Sequence, residues 1–179
     1  SGQVCDAGTR AYIHRSIYAE FLGELAAYTA SLKMAPGLDP DCFISPLVSR
    51  QQQERVLGYI AAGKAEGAEV YYGGEAVAGP GYFVQPTIFA NCRNDMRIVQ
   101  EEIFGPVLVT APFDDEEEAL ALANDSPFGL AAALYSNDLG RVHSLIPRLR
   151  AGSAAAIPRR CHGCTSARFT PMRLSNSLR

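Results

Sequence analysis

Apolar residues recur along the chain with two spacings, which together predict an alternating series of strands and helices. Short apolar runs of strand length lie at 10–14, 69–72, 82–90, 107–113 and 130–135. Apolar residues three or four apart, or acids at an expected helix start, predict helices at 16–32, 49–63, 114–124 and 138–150. This alternation is typical of an α/β fold with helices flanking a layered, largely parallel sheet.

The first two helices have recognisable starts and faces. Ser16 is the expected N-cap of the first helix, and its buried stripe is expected to contain Ile17, Phe21, Leu25, Tyr28 and Leu32. Ser49 and Gln52 fit the capping-box spacing of the second helix, and Gly63 or Gly67 is expected to end it. The inner face of that helix is expected to hold Val56, Leu57 and Ile60.

Two of the strands are apolar with little polar interruption. The run at 107–113 shows the continuous pattern of a strand that is covered on both faces. The run at 130–135 is a second apolar strand. Pro86 marks an edge or a bend in the extended stretch 82–90, and Pro147 is expected to kink the last helix.

The regular order ends after Gly152. Residues 154–158 suggest a stub of strand, but residues 153–179 as a whole contain five Arg and no acid. We expect the chain to divide into a structured part at 1–152 and an Arg-rich, poorly ordered tail at 153–179.

Composition limits the class of protein. With 179 residues, of which 47% are hydrophobic and 20% charged, the chain can form one domain with a core. It has no apolar run of the length that spans a membrane, and it does not open with the charged-then-apolar pattern of a signal peptide. Because the chain opens within a motif, we expect it to be a piece of something longer or a processed product.

Charge and cysteine content limit the expected binding partners and the expected cellular compartment. Residues 1–152 hold 11 Lys and Arg against 19 Asp and Glu, an acidic balance that does not suit a nucleic-acid partner. The five cysteines are odd in number and fit no disulfide framework, so a reducing, cytoplasmic location is expected.

Cys5 is the first candidate for chemistry. A lone cysteine is usually a small buried hydrophobe, but this one lies in the sequence Gly2-Gln3-Val4-Cys5-Asp6-Ala7-Gly8. Small flanking residues let backbone amides approach the group that a thiolate attacks, and those amides can stabilise an oxyanion. A carboxylate at Asp6 disfavours the thiolate and slows attack.

A second motif follows about a hundred residues later, as Glu101-Glu102-Ile103-Phe104-Gly105-Pro106-Val107. In this order and at this distance, the two motifs resemble the signature segments of the NAD(P)-dependent aldehyde dehydrogenase family. The resemblance implies that Cys5 is the nucleophile, that Glu102 binds the nicotinamide ribose, and that Phe104 lies beside the nicotinamide. It further suggests Gln52 as a cofactor-binding residue and, less clearly, Arg55, where lysine is more familiar.

Further segments at 57–60, 81–87, 124–131 and 149–152 follow the same family order, so the resemblance covers residues 2–152. It implies the family's catalytic-domain fold, truncated here, with an aldehyde substrate and NAD or NADP as cofactor. The implied reaction oxidises the aldehyde to a carboxylic acid through a cysteine thiohemiacetal and thioester. The family is usually homo-oligomeric.

The chain also departs from the family pattern. The cofactor domain and the glutamate base lie upstream of the cysteine motif in the family, and the usual C-terminal segment with its oligomerisation arm is missing here. We therefore expect the isolated chain to be inactive. The alternative is a non-enzymatic degenerate fragment, or an interaction module that docks on full-length homologues through an unpaired sheet edge.

A metal site is not expected. Cys161-His162-Gly163-Cys164 provides only one cysteine pair, whereas a structural zinc site requires four ligands. His14 and His143 have no partners in the pattern and are interpreted as ordinary surface or core residues.

Overall fold

The computed structural model describes residues 1–157, and the chain divides into two compact units after Ala119. The first unit contains β1 (Arg10–His14), α1 (Arg15–Ser31), α2 (Arg50–Ala65), β2 (Glu69–Tyr72), β3 (Thr87–Ala90), α3 (Arg97–Gln100) and β4 (Val107–Phe113). Helix α4 (Glu116–Asn124) crosses the boundary. The second unit contains β5 (Ala131–Tyr135), α5 (Leu139–Leu145), a 3-10 helix (Ile146–Arg148) and β6 (Ser153–Ile157).

The first unit is built on a four-stranded sheet in the order β1-β4-β3-β2. Strand β4 runs parallel to both β1 and β3, and only β2 is antiparallel. The expected α/β architecture with a largely parallel sheet is therefore confirmed. The strands predicted at 10–14, 69–72 and 107–113 form within the predicted bounds.

Helices cover both faces of this sheet. Side chains alternate along a strand, and in β3 they enter two separate cores. Phe89 packs with Val56 and Ile60 of α2, whereas Ile88 packs with residues of β1 and α1. All four residues of β3 are buried as a result.

Helix α1 differs from the expectation at its start and on its face. Its N-cap is His14, not Ser16, because the His14 side chain accepts a hydrogen bond from the Ser16 amide. The buried positions include Tyr18 and Leu22, while Phe21 and Tyr28, which were expected in the buried stripe, are exposed. Tyr18 and Leu22 pack with Ile88 of β3, and the Tyr18 hydroxyl also forms a hydrogen bond with the Thr110 hydroxyl at 2.8 Å.

Helix α2 follows the prediction closely. The Ser49 hydroxyl accepts from the Gln52 amide at 3.2 Å, and Val56 and Ile60 are buried. The helix ends before Gly67, whose φ of +86° is the left-handed conformation that favours glycine at this position. Gly63 lies inside the helix instead.

Three other segments are shorter than predicted. Of the stretch expected to be extended at 82–90, only Thr87–Ala90, after Pro86, forms a strand, which is β3. The helix expected at 114–124 begins at Glu116. The helix expected at 138–150 ends at Leu145 and continues as the 3-10 turn that contains Pro147, whose ring and missing N–H interrupt α-helical bonding.

The second unit contains a two-stranded parallel sheet of β5 and β6. Strand β5 forms at the predicted apolar run, but its side chains alternate between half-buried and exposed. Strand β6 lies within the stretch that was expected to be a poorly ordered tail, where the stub of strand was suggested. It pairs in parallel with β5 along five residues. The proposed division at residue 152 therefore falls just before a strand, and the rest of the predicted tail lies outside the described residues.

None of the helices within residues 1–157 is long and apolar enough to cross a membrane.

Candidate active site

The Cys5 segment forms a short turn at the start of the first unit. The Ala7 amide donates to the Val4 carbonyl at 3.2 Å, and this bond closes a turn with Cys5 inside it. The Cys5 thiol is free and exposed. The turn therefore presents the thiol to solvent, where a small electrophile can reach it.

Two side chains attach this segment to the loop that precedes α2. The Ser1 hydroxyl donates to the Ser45 carbonyl at 2.7 Å, and the Gln3 carbonyl oxygen accepts from the Val48 amide at 3.0 Å. The segment is thus held on both sides of Gly2.

Gly2 brings the two sequence motifs together. Its φ is +73°, and a Cβ at this position would lie 2.0 Å from the carbonyl oxygen of Gly105. Only glycine tolerates both the conformation and the contact. The backbone of the Cys5 motif therefore lies directly against the backbone of the Glu102 motif.

Gly105 is in turn pressed against α2. A Cβ on Gly105 would lie 2.4 Å from Cγ2 of Val56, which is fully buried. The Glu102 motif thus lies between the Cys5 segment and α2, and glycine is required at both contacts.

Gln52 contacts the main chain of the Glu102 motif. Its Nε2 donates to the carbonyl oxygens of Ile103 at 3.2 Å and Phe104 at 2.8 Å. The predicted role of Gln52 in binding a cofactor stays a prediction. The structure shows it holding the turn that contains the other predicted residues.

Arg55 lies one helical turn after Gln52 and contacts the same motif. Its Nη2 donates to the Glu102 carbonyl oxygen at 2.7 Å, and its guanidinium lies 5.2 Å from the centre of the Tyr59 ring. Helix α2 therefore fixes the main chain at three consecutive carbonyls, of residues 102, 103 and 104.

Glu102 and Phe104 are oriented by this turn. Glu102 is exposed, and within residues 1–157 its carboxylate has no hydrogen-bond donor. Phe104 has a φ of +58°, a conformation that a bulky residue adopts only at a cost of about 1–3 kcal/mol. The contacts of Gln52 on either side of Phe104 offset this strain.

The other described thiols differ from Cys5. Burial raises the pKa of Cys92 to about 11, so this residue is a protonated thiol of the core. Cys42 is half-buried and its thiol donates to the Ala35 carbonyl. Cys5 is thus the exposed thiol among residues 1–157.

Three residues near Glu102 were not identified from the sequence. The Tyr59 hydroxyl donates to Glu101 Oε2 at 2.9 Å, and Arg97 donates to both oxygens of the same carboxylate. These contacts hold the pKa of Glu101 at about 2, chiefly through Arg97 and then through Tyr59. The only signal in the sequence is spacing, because Arg97 and Glu101 are four residues apart.

Among residues 1–157, no group of three or more His, Cys, Asp or Glu side chains is arranged to hold a metal ion. The pair Cys161 and Cys164 lies outside the described residues.

Comparison with known proteins identifies the family. The sequence profile described as "Aldehyde dehydrogenase family" matches residues 1–163. The chain belongs to the aldehyde dehydrogenase family. The resemblance carried by the two motifs is thereby confirmed.

Similar curated aldehyde dehydrogenases come from bacteria. The putative aldehyde dehydrogenase DhaS of Bacillus subtilis (strain 168) is 47% identical over 152 residues, which are 85% of this chain and 31% of that protein. A betaine aldehyde dehydrogenase of Rhizobium etli is 46% identical over 156 residues, covering 86% of this chain and 32% of that one. The chain thus spans about a third of the length of these relatives.

Solved aldehyde dehydrogenases also share the fold. The NAD+ complex of the Bacillus cereus enzyme matches with a TM-score of 0.83 and 43% identity, covering 88% of this chain and 32% of that one. The Mycobacterium tuberculosis enzyme, also complexed with NAD+, matches with a TM-score of 0.85 and 41% identity, covering 89% and 34%. The aldehyde dehydrogenase fold predicted for this chain is therefore confirmed.

Proposed function

We propose that this chain supplies the nucleophile and the ribose-binding carboxylate of an NAD(P)-dependent aldehyde dehydrogenase, an oxidoreductase that converts an aldehyde to a carboxylic acid. Cys5 is the catalytic residue, and Glu102 and Phe104 contact the cofactor. Gln52 serves the cofactor site by holding the main chain of residues 103 and 104. The cytoplasmic location and the homo-oligomeric state of the complete protein belong to the same proposal.

One observation carries the proposal. Gly2 lies against the Gly105 carbonyl, so the backbone of the motif with the exposed Cys5 thiol contacts the backbone of the motif that contains the exposed Glu102. Oxidation of an aldehyde requires the bound carbon and the nicotinamide to be held against each other, which is a problem of positioning. The two glycines and Gln52 support the proposal, because they hold the backbones of the two motifs close together.

The chemistry begins at Cys5. Its thiolate adds to the aldehyde carbon and forms a thiohemiacetal, whose oxyanion is stabilised by amide donors. Loss of hydride from that carbon yields a thioester on Cys5, and water then releases the carboxylic acid and the thiol. The nicotinamide, when bound, supplies the acceptor for the hydride.

Glu102 suits the ribose. A carboxylate accepts hydrogen bonds from two neighbouring hydroxyls, and within residues 1–157 the Glu102 carboxylate has no competing donor. Its backbone carbonyl is already bound by Arg55. The side chain can therefore accept from ribose without losing an existing contact.

The isolated chain is proposed to be inactive toward aldehydes. It spans about a third of its relatives, and the family resemblance places the glutamate base and the nucleotide-binding domain in the other two thirds. Purified chain incubated with NAD+ and betaine aldehyde should form no NADH. A rate of NADH formation that disappears in Cys5→Ala would contradict this part of the proposal.

The site itself is best tested in a chimera. Residues 1–152 replace the aligned segment of the Bacillus subtilis relative, and NADH formation is measured with betaine aldehyde and propionaldehyde. Cys5→Ala should abolish turnover, while Cys42→Ala, a matched change at a half-buried thiol, should preserve it. Glu102→Gln should raise KM for NAD+ about tenfold, since hydrogen bonds to a charged group are among the strongest.

Each result of the chimera experiment is decisive for one residue. NADH formation by the Cys5→Ala chimera would remove Cys5 from the mechanism. An unchanged KM for NAD+ in Glu102→Gln would remove the ribose role of Glu102 without affecting that of Cys5.

A second candidate function is supported by the second unit. Strands β5 and β6 pair only with each other within the described residues, and β5 exposes alternate side chains. An unpaired edge of such a sheet can pair with a strand of another chain. The second candidate function is therefore an interaction module that docks on full-length homologues through this edge. Size-exclusion chromatography of the chain with the Bacillus subtilis relative tests this, and a stable monomer that forms no complex would contradict it.

A further inference from the structure

A cluster of four side chains flanks Glu102 on the side of α2. Arg55, Tyr59, Arg97 and Glu101 form it, and we refer to them as the Tyr59 cluster. Both guanidinium groups lie over the Tyr59 ring, at 5.2 Å for Arg55 and 5.6 Å for Arg97. Two cations near one aromatic ring are favourably placed, because the ring quadrupole attracts positive charge.

Glu101 is bound on both carboxylate oxygens. Arg97 Nε donates to Oε1 at 2.9 Å and Nη2 donates to Oε2 at 3.0 Å, a bidentate pair. The Tyr59 hydroxyl adds a bond to Oε2 at 2.9 Å. The carboxylate stays ionised at neutral pH, because these donors hold the pKa of Glu101 at about 2.

The tyrosine is correspondingly kept protonated. Partial burial raises the pKa of Tyr59, and its hydrogen bond to Glu101 raises it further. The phenol therefore donates, and the carboxylate accepts, over the whole neutral range. The bond between α2 and residue 101 is accordingly insensitive to pH in this range.

The cluster reaches Glu102 from two directions. The residue immediately before it is fixed by its side chain to Arg97 and Tyr59, and the Glu102 carbonyl is fixed by Arg55 at 2.7 Å. The Glu102 carboxylate itself is exposed and is left without a donor within residues 1–157. The main chain on both sides of the Glu102 Cα is therefore held while its side chain stays available.

We propose that Tyr59, Arg97 and Glu101 are positioning residues that hold Glu102 ready to accept hydrogen bonds from the ribose hydroxyls of a nicotinamide nucleotide. This inference rests on the proposed function of Glu102. A carboxylate on an exposed turn loses conformational freedom when it binds a ligand, and a turn that is ordered beforehand reduces that loss. The three residues supply this order without contacting the nucleotide.

The experiment uses the whole 179-residue chain and two readouts. The first is the ¹⁵N order parameter of the Glu102 and Ile103 amides, and the second is the Kd for nicotinamide mononucleotide from amide shifts of residues 102–104. Tyr59→Phe removes one hydroxyl and keeps the ring. Arg97→Gln removes the bidentate pair, and Arg97→Lys keeps the charge without the planar fork.

The expected results are local. In Tyr59→Phe and Arg97→Gln, the order parameters should fall from about 0.85 toward about 0.6. The Kd should rise about fivefold, because the mononucleotide must then order a looser turn when it binds. Arg97→Lys should give an intermediate value for both, because it restores the charge but not the geometry. If these residues only stabilised the fold, the variants would lower the melting temperature but leave the order parameters and the Kd unchanged.

Arg15→Gln is the matched control. It breaks another exposed bidentate arginine pair, with Asp114, in the same unit. Both readouts at residues 102–104 should equal those of the wild type. A control that loosens Glu102 as much as Arg97→Gln does would overturn the proposal, since the effect would then be general.

The inference and the proposed function fail in different ways. Suppose that the wild-type amides of residues 102–104 do not respond to the mononucleotide, while Tyr59→Phe still lowers the order parameters. The ribose role of Glu102 is then wrong, but the three residues still order the turn. If the wild type binds and Tyr59→Phe changes neither readout, the positioning role is wrong and the role of Glu102 stands.

Discussion

Strands β4 and β5 are both apolar runs, yet they lie in different environments. Strand β4 has parallel neighbours on both sides and residues in the core, and four of its seven residues are buried. Strand β5 has one neighbour within the described residues and no buried residue, although four of its five residues are alanine or leucine. Tyr135, at its end, is 68% exposed.

The difference teaches what an apolar run does and does not indicate. Apolar composition favours a strand in both cases, and both strands form. Burial is a separate property because it depends on the elements that reach the strand from elsewhere in the chain. Helices α1 and α2 reach the sheet of the first unit, and the candidate site is built where α2 meets that covered sheet.

The largest expected effect contrasts the two environments directly. Phe89, in β3, is fully buried between the sheet and α2, so Phe89→Ala should lower the free energy of unfolding of the first unit by about 3–5 kcal/mol. Tyr135→Ala should change the stability of the second unit by no more than about 0.5 kcal/mol. Amide hydrogen exchange, measured separately for each unit in increasing urea, gives the free energy of unfolding of both units. Equal losses would show that β5 is covered after all.

The next effect compares a crowded glycine with an open one inside the Cys5 segment. Gly2→Ala should detach the segment at a cost of about 1–3 kcal/mol, because its Cβ meets the Gly105 carbonyl and its φ is positive. Gly8→Ala should have little effect, since no atom lies within 4 Å of its Cβ. Exchange of the Val48 amide, which is bonded to Gln3, reports attachment. Equal protection in both variants would disprove the close contact.

A smaller effect is expected on α2, where half-buried and exposed glutamines are adjacent. Gln52→Ala should lower stability by about 1–2 kcal/mol, because the Ile103 and Phe104 carbonyls both lose a donor. Gln51→Ala, at an exposed position, should be neutral. Urea midpoints compare them, and the order parameter of Phe104 should fall only in the first variant. A neutral Gln52→Ala would mean that Phe104 holds its conformation unaided.

The smallest effect concerns the exposed Tyr59 cluster and its response to acid. The pKa of Glu101 lies at about 2, below the ordinary value of 4.5, so its ion pair stabilises the folded turn above pH 4.5. That contribution should decline as the pH falls from 4.5 to about 2, and nothing should change between pH 5 and 7. The side-chain ¹³C shift of Glu101 gives the midpoint, which Tyr59→Phe should raise. An ordinary midpoint would show that the cluster does not form in solution.

The sequence was sufficient to predict β1, β2, β4 and β5 and the start of α2. Their signals are local, since apolar runs and the capping spacing of Ser49 and Gln52 lie within a few residues. The start of α1 was not predicted because its cap is a histidine, a residue that caps here through its ring nitrogen. Strand β6, at Ser153–Ile157, was suggested only as a stub, because it consists mostly of alanine, which has a weak strand preference. The division at residue 152 stays a prediction.

The candidate site was predictable only in its parts. The two motifs indicated Cys5 and Glu102, and both roles stay predictions. Nothing local indicated that Gln52 contacts carbonyls of residues 103 and 104, about fifty positions away, or that Tyr59 meets Glu101. Such contacts depend on how α2 approaches the sheet, which the periodicity of a helix does not specify.

The close approach of Gly2, Gly105 and Val56 also restricts which sequences this site can accept. Position 2 must leave room for a carbonyl oxygen, and position 105 must leave room for a valine side chain. No smaller neighbour can accommodate a side chain at position 2, because the obstacle there is backbone, whereas a side chain at position 105 would displace the buried Val56. A library randomised at Gly2 and Gly105 should therefore return glycine at both places, whereas the exposed neighbour Asp6 should vary freely.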